Sequence, residues 1–211
     1  MTEITALKAD PRHPSRVQVF LDGRLWRAVP AAAAVGLSVG MTLGAAAQQA
    51  IDAQSSEAAA LERVGRLLAI RPRSEVEIRQ RLDRAAVPAE TIERVVERLR
   101  RSGDIDDGAF ARTWVDNRTT FRPRGAAMLR AELQRKGVAP KVIGEAVAEV
   151  DEEEAAWEAA RRARRRWSGL DARTRRQKLY AYLQRRGFTY DTIHLVLRRW
   201  EADEVESEEL A

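Results

Sequence analysis

The chain has 211 residues and a net charge of +5, from 37 lysine and arginine residues against 32 aspartate and glutamate residues, and it contains no cysteine. This composition excludes disulfides, thiolate nucleophiles and cysteine-based zinc sites, and it fits a reducing compartment, so we expect a cytoplasmic protein. The positive charge is concentrated between Arg161 and Trp200, where thirteen basic residues stand against two acids. Such a stretch is typical of a polyanion-binding surface, although a solvated helical face would look the same.

The first fifty residues predict a small β-hairpin subdomain. Alternating apolar residues indicate strands near 4–8, 17–21 and 25–29. Asp22 and Gly23 separate the last two strands, and this pair is a strong signal for a type I′ turn because both of its central positions need a positive φ. We therefore expect an antiparallel hairpin at the start of the chain.

An uncharged segment follows the predicted strands, at residues 28–51, and glycines recur in it at Gly36, Gly40 and Gly44, a spacing known from membrane-helix interfaces. The segment is rich in alanine but poor in large apolar side chains, and Pro30 stands near its start. We therefore expect a short helix that stops at Gly36 and a turn that returns toward the sheet, and no membrane association.

From residue 56 onwards the sequence repeats itself three times, about fifty residues apart. Each copy places a leucine, a turn and an isoleucine at the same spacing, namely Leu82 and Ile92, Leu133 and Ile143, and Leu183 and Ile193. Each copy thus has the same apolar helical face, which a single unit cannot bury, and we expect stacking of neighbouring units to bury it. We therefore predict a mainly α fold of three tandem three-helix repeats that form an elongated curved array. The predicted divisions are a subdomain at 1–50, repeats at 56–104, 105–150 and 151–202, and an acidic tail at 203–211.

Two of the predicted helices have marked starts. Ser74 and Glu77 have the spacing of a capping box. The acids around Asp106 resemble the start of a calcium loop, but Val115 stands where the closing acid of such a loop would be. A cap for a helix that begins at Asp107 explains these acids better.

Catalytic groups are scarce in this sequence. His13 lies in a proline-rich turn and His194 in an arginine-rich helix, and they are the only histidines. No glycine is followed by Lys-Ser or Lys-Thr at the spacing of a phosphate-binding loop. Acid–base and nucleophilic catalysis need a titrating group with a positioned partner, so we predict a non-enzymatic protein with no cofactor and no metal.

Basic residues cluster at the predicted helix ends and junctions, which favours a binding function. Guanidinium groups can fork onto phosphates, and an aromatic such as Phe121, which we place in a loop, could stack on an unpaired base. Trp114, Trp157 and Trp167 have helical spacing and are better explained as core residues. The candidate binding residues are Arg71, Arg73, Arg118, Arg122, Arg124, Arg130, Arg135, Lys136, Arg161, Arg162, Arg164, Arg165 and Arg166.

Three motifs keep their order and separation along the chain. They are Arg-Pro-Arg-Ser-Glu-Val-Glu-Ile at 71–78, Gly-Asp-Ile-Asp-Asp at 103–107 followed by Phe110 and Ala111, and the stretch 125–137. Together they resemble the RecX family, bacterial regulators of RecA, over essentially the whole chain. The chain departs from the family at Ala126, Ala127 and Met128, where basic residues usually follow the glycine that matches Gly125.

The resemblance implies a protein that binds the RecA–DNA filament along its helical groove, across adjacent protomers. It also implies inhibition of filament growth, strand exchange and the ATPase and coprotease activities of RecA. The expected partners are the RecA filament and single-stranded DNA, with duplex DNA as an open alternative, and we expect a monomer. In this hypothesis apolar and acidic residues face RecA, while the arginine clusters meet DNA phosphates.

Two other functions fit the same residues. One is a stand-alone helical DNA-binding protein that uses a repeat as a helix-turn-helix-like reader of duplex DNA. The other is a protein-interaction scaffold with no nucleic-acid role. Binding of DNA without RecA, and the dependence of binding on salt, would separate the three.

Overall fold

The computed structural model describes the backbone of residues 2–209 and the side chains of residues 2–203. The acidic tail predicted at 203–211 therefore lies outside the described side chains, apart from Asp203. The chain separates into two compact units. One comprises the residues up to 72 together with 78–104, and the other comprises 73–77 together with the residues from 105 onwards.

The first unit contains an antiparallel sheet of four strands in the order β3-β2-β1-β4. Between the second and third strands, Asp22 and Gly23 have φ angles of 47° and 78°, as a type I′ turn requires. The predicted hairpin is therefore confirmed, and the chain that returns after residue 41 adds a short edge strand. The strands are β1 (Thr2–Ala9), β2 (Arg16–Leu21), β3 (Arg24–Pro30) and β4 (Thr42–Leu43).

The first unit also contains the helices α1 (Ala31–Ala34), α2 (Ala45–Leu68) and α4 (Ala89–Ser102), and most of α3 (Glu75–Asp83), whose first three residues belong to the second unit. Helix α2 runs for 24 residues without a break. It packs against the sheet core through Ile51 and also against α4, where Glu57 lies 3.2 Å from Arg94. The boundary predicted between residues 50 and 56 thus falls inside one helix that serves both parts. Across residues 2–209, no helix combines the length and the apolar character that crossing a bilayer requires.

The second unit holds two three-helix domains. Their helices are α5 (Asp107–Phe121), α6 (Ala126–Arg135) and α7 (Pro140–Ala148), then α8 (Glu152–Ala163), α9 (Ala172–Arg185) and α10 (Tyr190–Glu209), with one 3-10 turn at Arg164–Arg166. The core of the first of these domains centres on Phe110, Leu129 and Leu133. The core of the second centres on Trp157 and Leu183. In both domains the repeated hydrophobic face is buried by helices of the same domain, so the prediction that stacked neighbouring repeats bury it is wrong for these two copies.

Aspartates fix the starts of three helices in the second unit. Oδ1 of Asp106 accepts hydrogen bonds from Gly108 N (2.7 Å) and Ala109 N (3.1 Å), so the predicted cap is confirmed. Asp151 caps α8 and Asp171 caps α9 in the same manner. Hydrogen bonds from the side chain and backbone of Thr174 lower the pKa of Asp171. These caps supply acceptors for N–H groups that have no partner inside the helix.

The three domains share one turn geometry, which confirms the repeat. The last leucine of each middle helix, at Leu82, Leu133 and Leu183, is 0% exposed. Its carbonyl accepts a hydrogen bond from the residue five positions later, at Val87, Val138 and Phe188. The residue before that donor has a positive φ in every copy, 55° at Ala86, 79° at Gly137 and 82° at Gly187. The fold is therefore mainly α, with three tandem three-helix domains after a small strand subdomain.

Candidate nucleic-acid interface

Two similar junctions in the second unit contain several of the candidate residues. At the first, residues 73–77 pack on the turn between α6 and α7. Oγ of Ser74 accepts a hydrogen bond from Glu77 N (3.3 Å) and donates to the carbonyl of Lys136 (2.6 Å). The Glu77 carboxylate lies 2.7 Å from Nζ of Lys136. Lys136 is therefore neutralised inside the protein, so it is a poor candidate for binding a phosphate.

At the second junction, the start of α6 packs on the turn between α9 and α10. Gly125 N donates to the carbonyl of Arg186 (2.9 Å), and Nη1 of Arg186 donates to the carbonyl of Pro123 (2.9 Å). Met128 stands five residues before Leu133, as Glu77 stands five residues before Leu82. Because this junction has a methionine where the first has a carboxylate, the charge of Arg186 is not neutralised in the way that Lys136 is.

Beside the second junction is a depression of about 390 Å³, here called the arginine pocket, which is lined by Arg122, Arg124, Tyr182, Arg185 and Arg186. Tyr182 is 9% exposed and forms its floor, with the Arg186 guanidinium 4.5 Å from the ring centroid. Arg122 and Arg185 are exposed, and neither is paired with a carboxylate among the described side chains. Four guanidinium groups thus converge on one small concave surface.

Glu132 pairs with two of the nearby arginines, Arg118 and Arg124, and so makes them less available to a ligand. Its side chain is 8% exposed and accepts hydrogen bonds from Trp114 Nε1 (2.9 Å) and Arg118 Nε (2.7 Å). Arg124 Nε lies 3.0 Å from its other oxygen. Burial disfavours the charged form, but the hydrogen bonds from Arg118 and Trp114 and the charges of Arg118 and Arg124 outweigh it, so the pKa of Glu132 is lowered.

The segment around Phe121 was predicted as a loop, and this prediction is wrong for Arg118 to Phe121, whereas residues 122–125 do lie between helices. Helix α5 continues to Phe121, because the carbonyl of Arg118 still accepts a helical bond from Arg122 N (2.9 Å). Arg118 lies within the helix, bound to Glu132 and stacked 4.4 Å from the Trp114 ring centroid. It therefore holds the core together, and of the three arginines predicted there, Arg122 is the most available.

The remaining candidates are dispersed. Arg71 donates to the carbonyl of Pro72 in the first unit, and Arg73 is half-buried in the second. Arg130 and Arg135 are exposed on α6. Their positions alone do not form a site.

The basic run at 161–166 is partly neutralised. Arg161 and Arg162 pair with Glu158, and Arg162 also donates to the Thr120 carbonyl (2.8 Å). Arg164 pairs with Asp203 at 2.6 Å. Arg165 is exposed, and Arg166 lies 5.9 Å from the Tyr182 ring centroid. The end of the run thus lies beside Tyr182 of the arginine pocket, and Arg162 binds the backbone two residues before Arg122.

Sequence reasoning missed Arg185, Arg186 and Tyr182. The repeat itself contained the signal, because Arg185 and Arg186 follow Leu183 as Arg135 and Lys136 follow Leu133. Carrying the basic pair from one copy to the next would have found the two arginines. Tyr182 had no such signal, because the helical spacing of a tyrosine that lines a pocket is the same as that of one buried wholly in the core.

A second concave surface in this unit has the opposite charge. This surface, here called the acidic groove, has a volume of about 500 Å³ and lies between α5, α7 and α8. Val115, Ala146 and Ala155 contribute apolar surface to it. Five acids line it, Asp116, Glu149, Asp151, Glu154 and Glu158, together with the bases Arg112 and Arg162. Two of the acids are paired, Glu154 with Arg199 and Glu158 with Arg161 and Arg162. The groove therefore carries a small excess of negative charge, which disfavours a polyanion.

The structure shows no constellation of catalytic groups in its described part. Among those residues, no three histidine or acidic side chains are grouped to hold a metal ion. His194 packs between Tyr190 (4.1 Å between ring centroids) and Tyr180 (6.1 Å). It lies among aromatic rings rather than beside a nucleophile.

Comparisons with known proteins agree with the three-domain fold. Three family models match, described as the first, second and third three-helix domains of RecX, at residues 60–99, 106–147 and 151–197. A regulatory protein RecX from Amycolatopsis mediterranei is 36% identical over 135 residues, covering 63% of this chain and 77% of the relative. Another from Prosthecochloris aestuarii is 40% identical over 138 residues, covering 65% and 91%.

Solved structures give the same result. A crystal structure of a regulatory protein RecX has a TM-score of 0.74 at 25% identity, covering 93% of this chain and 98% of that chain. The fold of RecX from Lactobacillus salivarius is also similar, with a TM-score of 0.62 at 21% identity, covering 72% and 99%. The sequence matches to all three domains and the structural match over most of the chain lead to one conclusion: the chain belongs to the RecX family of regulatory proteins.

Proposed function

We propose that this protein binds RecA filaments on DNA and inhibits RecA filament growth, strand exchange, ATPase activity and coprotease activity. Family membership supports the regulatory role. The arginine pocket is the observation that carries the DNA contact, because it concentrates exposed positive charge in a concave surface. The protein acts in the cytoplasm, as a monomer, and without catalysis of its own.

The arginine pocket suits a phosphate for an electrostatic reason. Arg122, Arg185 and Arg186 lie close together, and each raises the local positive potential that the others experience. Two like charges 4 Å apart repel by about 4 kcal/mol at the effective dielectric constant near a protein surface. A phosphate that enters the pocket relieves this repulsion and releases the counterions bound to DNA. The pocket should therefore bind DNA more strongly than an isolated arginine does.

The acidic groove supports the protein half of the proposal. Its acids would repel DNA, so DNA and a protein partner are directed to different surfaces of the same unit. Val150, which is half-buried, is the apolar lining residue with the most surface left for a partner. This division matches the hypothesis in which apolar and acidic residues face RecA.

The test is to add the purified protein to RecA assembled on single-stranded DNA with ATP and to follow hydrolysis. Suppression below equimolar protein would support capping or nucleation of disassembly. No effect at equimolar protein would refute the proposal. A sequence-selective footprint on duplex DNA without RecA would favour a stand-alone DNA reader. Salt-insensitive partner binding without DNA retention would favour a scaffold.

A variant pair assigns the effect to the arginine pocket. The double substitution Arg122→Glu and Arg185→Glu should weaken DNA binding and flatten its dependence on salt, by about 0.7 in the slope of log K against log salt for each phosphate of a single strand that the protein no longer binds. The matched control is Arg84→Glu with Lys141→Glu, which changes net charge equally at two exposed positions outside the pocket. Equal weakening in both variants would show only an effect of net charge.

A further inference from the structure

Phe121 is an exposed aromatic residue in a strongly cationic setting. Its side chain is 69% exposed at the last position of α5, and Arg122 follows it directly. A phenyl ring in water is unfavourable by roughly 25 cal/mol for each Å² of apolar surface left uncovered. Phe121 does not line the arginine pocket, but Arg122, its neighbour in the chain, does.

The backbone around Phe121 is held on both sides by arginines of the neighbouring domain. Nη1 of Arg162 donates to the carbonyl of Thr120 (2.8 Å), and Nη1 of Arg186 donates to the carbonyl of Pro123 (2.9 Å). Pro123 is itself buried. The ring therefore projects from a fixed support, and little conformational entropy is lost when a ligand packs against it.

The other aromatic residues of the second unit do not offer such a surface. Trp157, Trp200 and Tyr182 are at most 9% exposed, and Trp114 is stacked with Arg118 and Phe110. Tyr190 is 63% exposed, but its ring packs on His194, and Asp191 follows it. Among the large aromatic side chains of the described residues, Phe121 alone combines high exposure with a pocket-lining arginine as its neighbour in the chain.

We propose that Phe121 is a stacking platform for one unpaired base of a nucleic acid, with a neighbouring phosphate of the same strand in the arginine pocket. Every base has a π-face, so such a platform recognises the absence of pairing rather than a sequence. A duplex keeps its bases stacked on one another and cannot place one on this ring. The inference rests on the proposed DNA contact and adds selectivity for single strands.

The test measures affinity by fluorescence anisotropy with the full chain and no RecA. Three labelled probes share the same number of phosphates per strand, about twenty, which exceeds the ~4–16 nucleotides that a comparable groove covers. They are oligothymidylate, a DNA strand of abasic sites, and a duplex. Phe121→Ala should weaken oligothymidylate binding by about 5- to 150-fold, the range that corresponds to removal of one base–aromatic stack.

The same variant should leave affinity for the abasic strand and for the duplex unchanged, together with the salt dependence for all probes. Phe121→Trp should retain affinity for oligothymidylate. Tyr190→Ala is the matched control, since it removes an exposed ring that lies against His194, and it should bind all probes normally. An oligouridylate arm shows whether the platform accepts RNA as well as DNA.

Several outcomes would overturn the inference. Unchanged oligothymidylate affinity in Phe121→Ala would remove the platform, and equal weakening on all three probes would indicate a structural role. A variant that binds DNA normally but fails to suppress RecA hydrolysis would make Phe121 a contact for protein. If Arg122→Glu with Arg185→Glu still weakens binding in any of these cases, the proposed DNA contact survives. If the unmodified chain binds no probe, both proposals fail.

Discussion

Replacing Gly125 with alanine should open the junction that supports the arginine pocket. The backbone of Gly125, with φ of −70° and ψ of 160°, is accessible to any residue, so the substitution carries no backbone strain. An added Cβ would lie 2.0 Å from the Gly187 carbonyl oxygen, 2.3 Å from its carbonyl carbon and 2.5 Å from Phe188 N. All three atoms belong to the backbone, so no side chain can rotate away. The two segments must separate instead.

The free energy of that separation has two parts. Overpacking of this kind destabilises proteins by about 1–3 kcal/mol. The hydrogen bond from Gly125 N to the Arg186 carbonyl must also lengthen, and a bond of this type contributes about 0.5–1.5 kcal/mol. We therefore expect Gly125→Ala to lower the free energy of unfolding of the second unit by about 2–4 kcal/mol. Affinity for oligothymidylate should fall with it, because Arg186 loses its support.

Urea unfolding followed by tryptophan fluorescence measures the change. The matched control is Gly144→Ala in α7, where an added Cβ meets nothing within 4 Å. Alanine is the better helix former, so this control should raise the free energy of unfolding by about 0.5–1 kcal/mol. If Gly125→Ala were as stable as the unsubstituted chain, the close approach of the two backbones would be incorrect. If both variants were destabilised equally, the effect would not report on the junction.

Three further substitutions test a buried carboxylate, a turn and a helix cap described above. Glu132→Gln should lower the free energy of unfolding by about 1.5–3 kcal/mol at neutral pH, the range for hydrogen bonds to charged groups. Because folding lowers the pKa of Glu132, the difference in stability between the variant and the unsubstituted chain should be complete above the ordinary pKa of 4.5 and disappear as the pH falls through the folded pKa. A difference that stays constant with pH would contradict the assignment. Ala86→Gly should raise the melting temperature, since alanine at a φ of 55° costs about 1–2 kcal/mol that glycine avoids, and an unchanged melting temperature would mean that this turn is unstrained. Asp106→Ala should lower the free energy of unfolding by about 0.5–2 kcal/mol because the α5 cap is removed, whereas Asp106→Asn should restore most of it; calorimetry would reveal an equal decrease in both if the side chain acted only through its charge.

The sequence predicts those parts of the fold that depend on local pattern. The equal spacing of Leu82, Leu133 and Leu183 identifies three buried faces, and all three leucines are fully buried. The pair Asp22 and Gly23 predicts the type I′ turn, because this turn needs a positive φ at both central positions and few residue types adopt one readily. By contrast, the start of α2 at Ala45 was not predicted, since its first residues are small or neutral and show no apolar period.

The site was harder to predict because it depends on which charges meet in space. Arg118 and Arg122 look equivalent in the sequence, yet Arg118 is bound to Glu132 and Arg122 is exposed. Helical geometry places residue 118 above residue 132 only after α5 and α6 have packed. A count of basic residues finds the region of positive charge, but it does not separate arginines that support the core from those that meet solvent.

The contrast between Glu77 and Met128 shows how tandem copies can diverge in use. Both junctions have the same turn and a basic residue at the same position of it. In the first junction Glu77 neutralises this residue, and in the second Met128 stands at the position that corresponds to Glu77. A methionine in place of a single acid thus leaves the base of the second junction free of an internal acidic partner at that position, without a new loop or a new domain, and this base is the one that we propose binds a phosphate. By the same reasoning, Met128→Glu should form an internal ion pair with Arg186 and so weaken the binding of a phosphate in the arginine pocket. In a repeat protein of this kind, the loss of one internal ion pair can leave a basic residue available for a ligand.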